Sequence, residues 1–162
     1  MHELDSMKLA NQILESFAGR PKPSSATLAL VPNTCEYEDA KFFEGKDWRD
    51  VDIESLKEHS DAVYGFAPEA FCYYLPGVMV ASIKASNARL SVIDALIGSL
   101  DRSPNPDYWD EFFVARWPLL NEREVRAVQQ WVLWLLEADP VYFESDALGR
   151  AMDTLDLLIK TK

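Results

Sequence analysis

The chain has 162 residues, of which 48% are hydrophobic and 12% aromatic, so it can bury one sizeable core and is not a disordered chain. Its 27 acidic side chains outnumber 16 basic ones, which gives a formal charge of −11. Binding to nucleic acid or to an anionic membrane surface relies on basic patches, so this composition argues against both partners. Because no signal-peptide or membrane-span pattern is present, we expect one cytoplasmic domain over residues 1–162.

In the first third of the chain, apolar spacing and capping residues predict three helices. Apolar side chains recur at helical spacing over Asp5–Ala18, which predicts the first helix. Residues 28–31 predict a short extended stretch that has no partner strand. Thr34 is a suitable N-cap for a second helix, and Asp50 or Asp52 for a short third one.

The longest apolar run predicts a central helix around which the rest of the chain packs. It covers Pro68–Lys84, with a proline in the first turn, where the missing N–H costs nothing, and Glu69 beside it. Nearly every later position is apolar or small, which is typical of a helix that is buried on all sides. Pro76 removes one hydrogen bond within the helix, so we expect a bend there.

After the central helix, the sequence predicts one amphipathic helix and one short aromatic helix. Ser86 or Asn87 is expected to cap the first of these, and Asp107 the second. The buried stripe of the amphipathic helix is predicted to consist of Leu90, Ile93, Ile97 and Leu100.

The clearest helix start in the sequence is at Asn121. Glu124, three residues later, completes a capping box with it. Asp139 followed by Pro140 predicts the start of the last helix. The apolar face of that helix is predicted to be Leu148, Ala151, Met152, Leu155, Leu158 and Ile159. These patterns together predict an all-α fold, a single compact domain of about seven or eight helices around a bent central helix.

Charge is distributed unevenly, and Glu36–Asp61 forms an acidic segment. It contains ten acidic and four basic side chains, a net charge of −6. Trp48 lies within this segment, with charged neighbours on both sides. It either covers the core as a lid or anchors a partner, and the second role is considered because tryptophan is enriched at binding hot spots. The predicted partner-binding residues are Asp47, Trp48, Asp50, Glu54, Glu36, Glu38 and Asp39.

Chemistry-bearing side chains are sparse in this sequence. Tyr73, Tyr74, Asp94 and Arg116 could line a pocket at the bend of the central helix, although buried tyrosines more often serve as hydrogen-bonded core residues. His59 has acidic neighbours, but a single histidine at a helix end does not form a metal-binding pattern. The chain lacks a phosphate loop, a nucleophile elbow and zinc-ligand spacing, so we predict no catalytic residues, no metal and no cofactor.

Three segments carry a resemblance to a known family. They are Gly45-Lys46 with Trp48, the phrase FAPEAFCYYLP over Phe66–Pro76, and LLNEREVRAVQQWVLWL over Leu119–Leu135. The combination resembles a family of small bacterial proteins of unassigned function, over roughly residues 17–136, with PEAFxYYLP as its most specific part. In size and charge the chain is also similar to immunity proteins, which neutralise interbacterial toxins.

These observations leave three functional hypotheses open. The first is a non-catalytic acidic protein of the immunity or adaptor type that neutralises or holds a basic protein partner, in which charge complementarity steers encounter. The second is a small-molecule sensor or enzyme with a pocket at Pro76. The third is a structural subunit that dimerises through its tryptophan-rich C-terminal helices.

Overall fold

A computed structural model describes residues 3–28, 34–143 and 145–162 of the chain. The described residues form nine α-helices and no strand; one isolated bridge pairs Thr27 with Phe66. The helices are α1 (Glu3–Ser16), α2 (Cys35–Phe42), α3 (Ile53–Glu58), α4 (Ala62–Gly65), α5 (Pro68–Lys84), α6 (Ser91–Ser99), α7 (Glu111–Arg116), α8 (Glu122–Ala138) and α9 (Ser145–Lys160). The predicted all-α fold is confirmed, and the one helix that the sequence did not predict is the four-residue α4.

Helix α5 is the centre of the fold, with the bounds that the sequence predicts. Every residue from Ala70 to Ile83 is buried, and Pro76 lies inside the continuous helix. Helices α1, α3 and α7 pack directly on α5, while α8 packs on α1 and α9. Because all sides of α5 are covered, its apolar run is fully removed from water, which is the largest favourable contribution to folding.

The indole N–H groups of two buried tryptophans donate hydrogen bonds to serines of neighbouring helices. The Trp117 indole N–H donates to Ser99 Oγ at 3.0 Å, and the Trp131 indole N–H donates to Ser82 Oγ at 3.0 Å. Each serine hydroxyl donates in turn to a carbonyl three residues earlier in its own helix. Trp134 is also buried. The C-terminal tryptophans therefore belong to the core of this chain and are not exposed for dimerisation.

Several predicted caps are confirmed by side-chain hydrogen bonds to free backbone N–H groups. Thr34 caps α2 and Asp52 caps α3. Asn121 and Glu124 form the predicted capping box of α8. The buried Glu124 carboxylate also accepts two hydrogen bonds from Arg20, at 2.8 and 2.7 Å, and this pair fastens the turn after α1 to the start of α8.

The predicted start of α6 is wrong because local turns hold the two proposed capping residues. Ser86 adopts a positive φ of 49°, whereas an N-cap residue is extended. The Asn87 side chain accepts the N–H of Arg89 and closes a turn of its own. The helix begins only at Ser91, yet the predicted stripe from Leu90 to Leu100 is buried as expected.

Two further predicted helix starts are shifted along the chain. Asp107 lies within a 3₁₀ turn, and Asp110 instead caps α7 by accepting the N–H of Phe113. Asp139 ends α8, where its side chain accepts the N–H of Tyr142. The start of α7 is thus capped by the later carboxylate, Asp110, while the Asp139 carboxylate closes the turn that follows α8.

The extended stretch predicted at residues 28–31 lies mostly outside the described residues. Leu28 is described and is 59% exposed, so it does not lie across the core. None of the described helices combines the length and apolar character that crossing a bilayer requires.

Candidate functional site

The acidic segment forms α2, a 3₁₀ turn at Trp48–Asp50 and α3, of which the 3₁₀ turn and α3 pack on α5, and α4 follows the segment directly. Tyrosines of α5 hold this layer in place. The Tyr74 hydroxyl donates to the Phe43 carbonyl and lies 2.9 Å from the Lys46 carbonyl, and burial raises the pKa of Tyr74 to about 12. The Tyr73 hydroxyl accepts the Trp48 N–H at 3.4 Å.

Trp48 is a lid over the core and not an exposed anchor. The residue is only 1% exposed, and the Arg49 guanidinium lies 4.7 Å from the centre of its ring. The Trp48 carbonyl also approaches Gly77 of α5 so closely that a Cβ there would lie 2.7 Å from it. A partner cannot bury a side chain that the fold already covers, so Trp48 is removed from the predicted binding set.

Two of the predicted partner-binding carboxylates already accept hydrogen bonds from other residues of the chain. Asp39 is partly buried and accepts hydrogen bonds from His59 Nδ1 at 3.2 Å and from the Asp61 N–H at 3.0 Å. Asp47 caps the 3₁₀ turn, and the hydrogen bond from the Arg49 N–H lowers the pKa of its carboxyl group. These side chains shape the surface and keep little capacity to bind a partner.

The remaining predicted carboxylates are exposed and available. Glu36 and Glu38 lie in the first turn of α2, and Asp50 ends the 3₁₀ turn. Within the described part of the chain, none of these three has a cation within ion-pair distance. Glu54 is 71% exposed and lies 3.8 Å from Lys57, an ion pair that contributes little at this exposure. Glu58, which the sequence did not single out, is likewise exposed.

The four residues of the predicted pocket at Pro76 are not brought together. Tyr73 and Tyr74 bond to the acidic segment, as described above. Arg116 is buried and donates to the carbonyls of Phe66 and Phe112, and burial lowers its pKa. Asp94 is exposed and accepts the Tyr142 hydroxyl at 2.7 Å. The sequence placed these groups near one helix, but their side chains reach different neighbours.

A second acidic segment, Asp94–Glu111, was missed by the sequence reasoning. Its five carboxylates and single arginine give a net charge of −4, and all five carboxylates are exposed. Charge counting along the chain could have found it, because the two acidic segments together carry −10 of the total charge of −11.

His59 is held by packing and hydrogen bonding. Its ring stacks on Phe42 with 3.9 Å between ring centroids, and its Nδ1 contacts Asp39. Across the described ranges, histidine, cysteine and acidic side chains do not assemble into a group of three that could hold a metal ion. Cys72 is buried and Cys35 is exposed, and burial raises the pKa of the Cys72 thiol to about 12.

Comparisons of the chain with family models, with curated proteins and with solved structures find no match. The surface itself therefore provides the evidence on function. Its main features are exposed carboxylates on short helices that are rigidly attached to a buried central helix.

Proposed function

We propose that this protein is a non-catalytic binding protein of the immunity or adaptor type, and that its partner is a basic protein. The observation that carries the proposal is the group of exposed carboxylates on α2, the 3₁₀ turn and α3, among which only Glu54 has an ion-pair partner within the described residues, at 3.8 Å. Native proteins commonly pair or disperse such charges, and like charges that remain close together repel each other. A basic partner would relieve that repulsion.

The scaffold beneath these carboxylates suits a binding surface. Tyr73, Tyr74 and Trp48 attach the acidic layer to α5 through buried contacts, so the carboxylates are presented on a rigid support. Rigid presentation lowers the entropy cost of association. Charge complementarity of this kind accelerates encounter and selects partners more than it raises affinity. The size and acidic charge that the chain shares with immunity proteins make a toxin the expected basic partner.

Charge reversal on the exposed carboxylates tests the proposal. The variant carries Asp50→Lys, Glu54→Lys and Glu58→Lys, three positions whose side chains are exposed. Proteins from the native host that bind the wild-type chain would be captured, identified and purified, and their affinity measured at several salt concentrations. We expect a basic protein whose affinity falls as salt rises and is reduced at least about tenfold by the triple variant, because a like charge facing the partner costs several kcal/mol.

A matched control separates local complementarity from total charge. It reverses the same number of exposed carboxylates on α8 and α9, namely Glu137→Lys, Asp146→Lys and Asp153→Lys. The control should retain most of the affinity, and both variants should unfold at nearly the wild-type temperature. Equal losses in the two variants, or a captured partner that is itself acidic, would refute the proposal.

A further inference from the structure

A groove lies where α4, α6 and α7 meet, beside the acidic segment. Its volume is about 320 Å³, large enough to receive an extended side chain. The groove is lined mainly by Tyr64, Asp94, Ala95, Arg102, Asp110 and Phe112. Helix α4 connects it to the acidic segment, because the backbone of Gly65 packs directly against the backbone of Glu36 in α2.

One wall of the groove offers an uncovered aromatic face. Tyr64 is 53% exposed, and its ring centre lies 6.5 Å from that of Phe112. The Phe112 ring is already covered by the Arg116 guanidinium at 3.9 Å. Tyr64 is therefore the aromatic side chain that remains available, and cations bind favourably over such a ring.

The charges in the groove are not equivalent. Asp110 uses both oxygens, since Oδ1 accepts the Phe113 N–H and Oδ2 lies 3.3 Å from Arg102, whose own charge is thereby balanced. Asp94 uses Oδ2 to accept the Tyr142 hydroxyl, while its Oδ1 has no hydrogen bond from the described residues. The groove therefore contains one carboxylate oxygen without a hydrogen bond from the described residues and one half-exposed tyrosine ring.

We propose that this groove receives an arginine or lysine side chain of the basic partner, with the cation over Tyr64 and bonded to Asp94 Oδ1. The occupant is indicated by charge complementarity, because two carboxylates, Asp94 and Asp110, face a single cation, Arg102, among the charged residues that line the groove. The inference rests on the proposed function and specifies where the partner's central contact lies. The acidic segment and the groove then form one binding surface on both sides of α4.

Fluorescence anisotropy with a fluorescein-labelled hexa-arginine peptide tests the groove directly. Asp94→Asn keeps an acceptor for Tyr142 and removes one charge, and Asp153→Asn on α9 removes one exposed charge elsewhere. We expect Asp94→Asn to weaken binding roughly tenfold, since hydrogen bonds to charged groups are strong, and Asp153→Asn to have little effect. Tyr64→Leu should weaken binding about threefold, and Tyr64→Phe should retain the wild-type affinity.

The outcomes separate the groove from the general acidic surface. If Asp94→Asn and Asp153→Asn weaken binding equally, or Tyr64→Leu binds as tightly as Tyr64→Phe, the groove does not receive the cation and this inference is overturned. The triple lysine variant of the acidic segment, measured with the same peptide against its matched control, reports on the proposed function independently. If only the triple variant lost affinity for the peptide, the proposed function would stand, but the inference that the groove receives the cation would be overturned.

Discussion

Substitution of Gly65 by alanine should destabilise the protein, although alanine is the better helix former. A Cβ at this position would lie 2.1 Å from the Glu36 carbonyl oxygen and 3.1 Å from the Ala40 Cβ, whereas ordinary contacts begin at 3.4 Å. Helices α2 and α4 must therefore separate by more than 1 Å. Overpacking of a close contact costs about 1–3 kcal/mol, and the obstacle here is backbone, which cannot move aside as a flexible side chain can.

The expected net effect is a loss of about 1–2 kcal/mol in the free energy of unfolding, after an offset of ~0.5–1 kcal/mol from helix propensity. Urea denaturation followed by far-UV circular dichroism measures it. Gly149 is the matched control, since it lies in α9 with nothing within 4 Å of its added Cβ. Gly149→Ala should stabilise by about 0.5–1 kcal/mol. If both alanine variants were stabilised, the close approach of α2 and α4 would be incorrect.

Three further predictions concern the core, the thiols and the acid limit of stability. Leu75→Ala in α5 should cost about 2–5 kcal/mol in urea denaturation, while exposed Glu58→Ala should change stability little; a loss under ~1 kcal/mol for the former would contradict a core position. A disulfide reagent should label exposed Cys35 in the folded protein and Cys72 only after unfolding, because burial raises the Cys72 pKa to about 12. Hydrogen bonds from Ser55 lower the pKa of Asp52, so its ionised form stabilises the fold above its ordinary pKa of 3.8, and this stabilisation is lost as the pH falls through the folded-state pKa. Asp52→Asn keeps the cap but removes the charge, so the stability advantage of the wild type over this variant should shrink as the pH falls through the folded-state pKa of Asp52. If the advantage were independent of pH, the ionised Asp52 carboxylate would not be the stabilising group.

Local sequence determined most of the helices, because their signals act within one or two turns of the chain. The bounds of α5 follow from a proline at its start and an uninterrupted apolar run. The capping box at Asn121 joins groups three residues apart, so tertiary structure does not need to supply it. Around Asp107 the sequence placed the helix start too early, because a 3₁₀ turn over Pro106–Tyr108 precedes α7 and Asp110 caps the helix.

The candidate site depended on contacts between residues far apart in the sequence. Trp48 has charged neighbours in the chain, yet α5 covers it, and only the fold could show that. Asp94 is 48 residues from Tyr142, its hydrogen-bond partner. Net charge is a property of composition and was readable from the sequence. Which carboxylates remain unpaired, and that two acidic segments meet across α4, were decided by tertiary packing, because exposure and pairing arise only when distant segments are brought into contact.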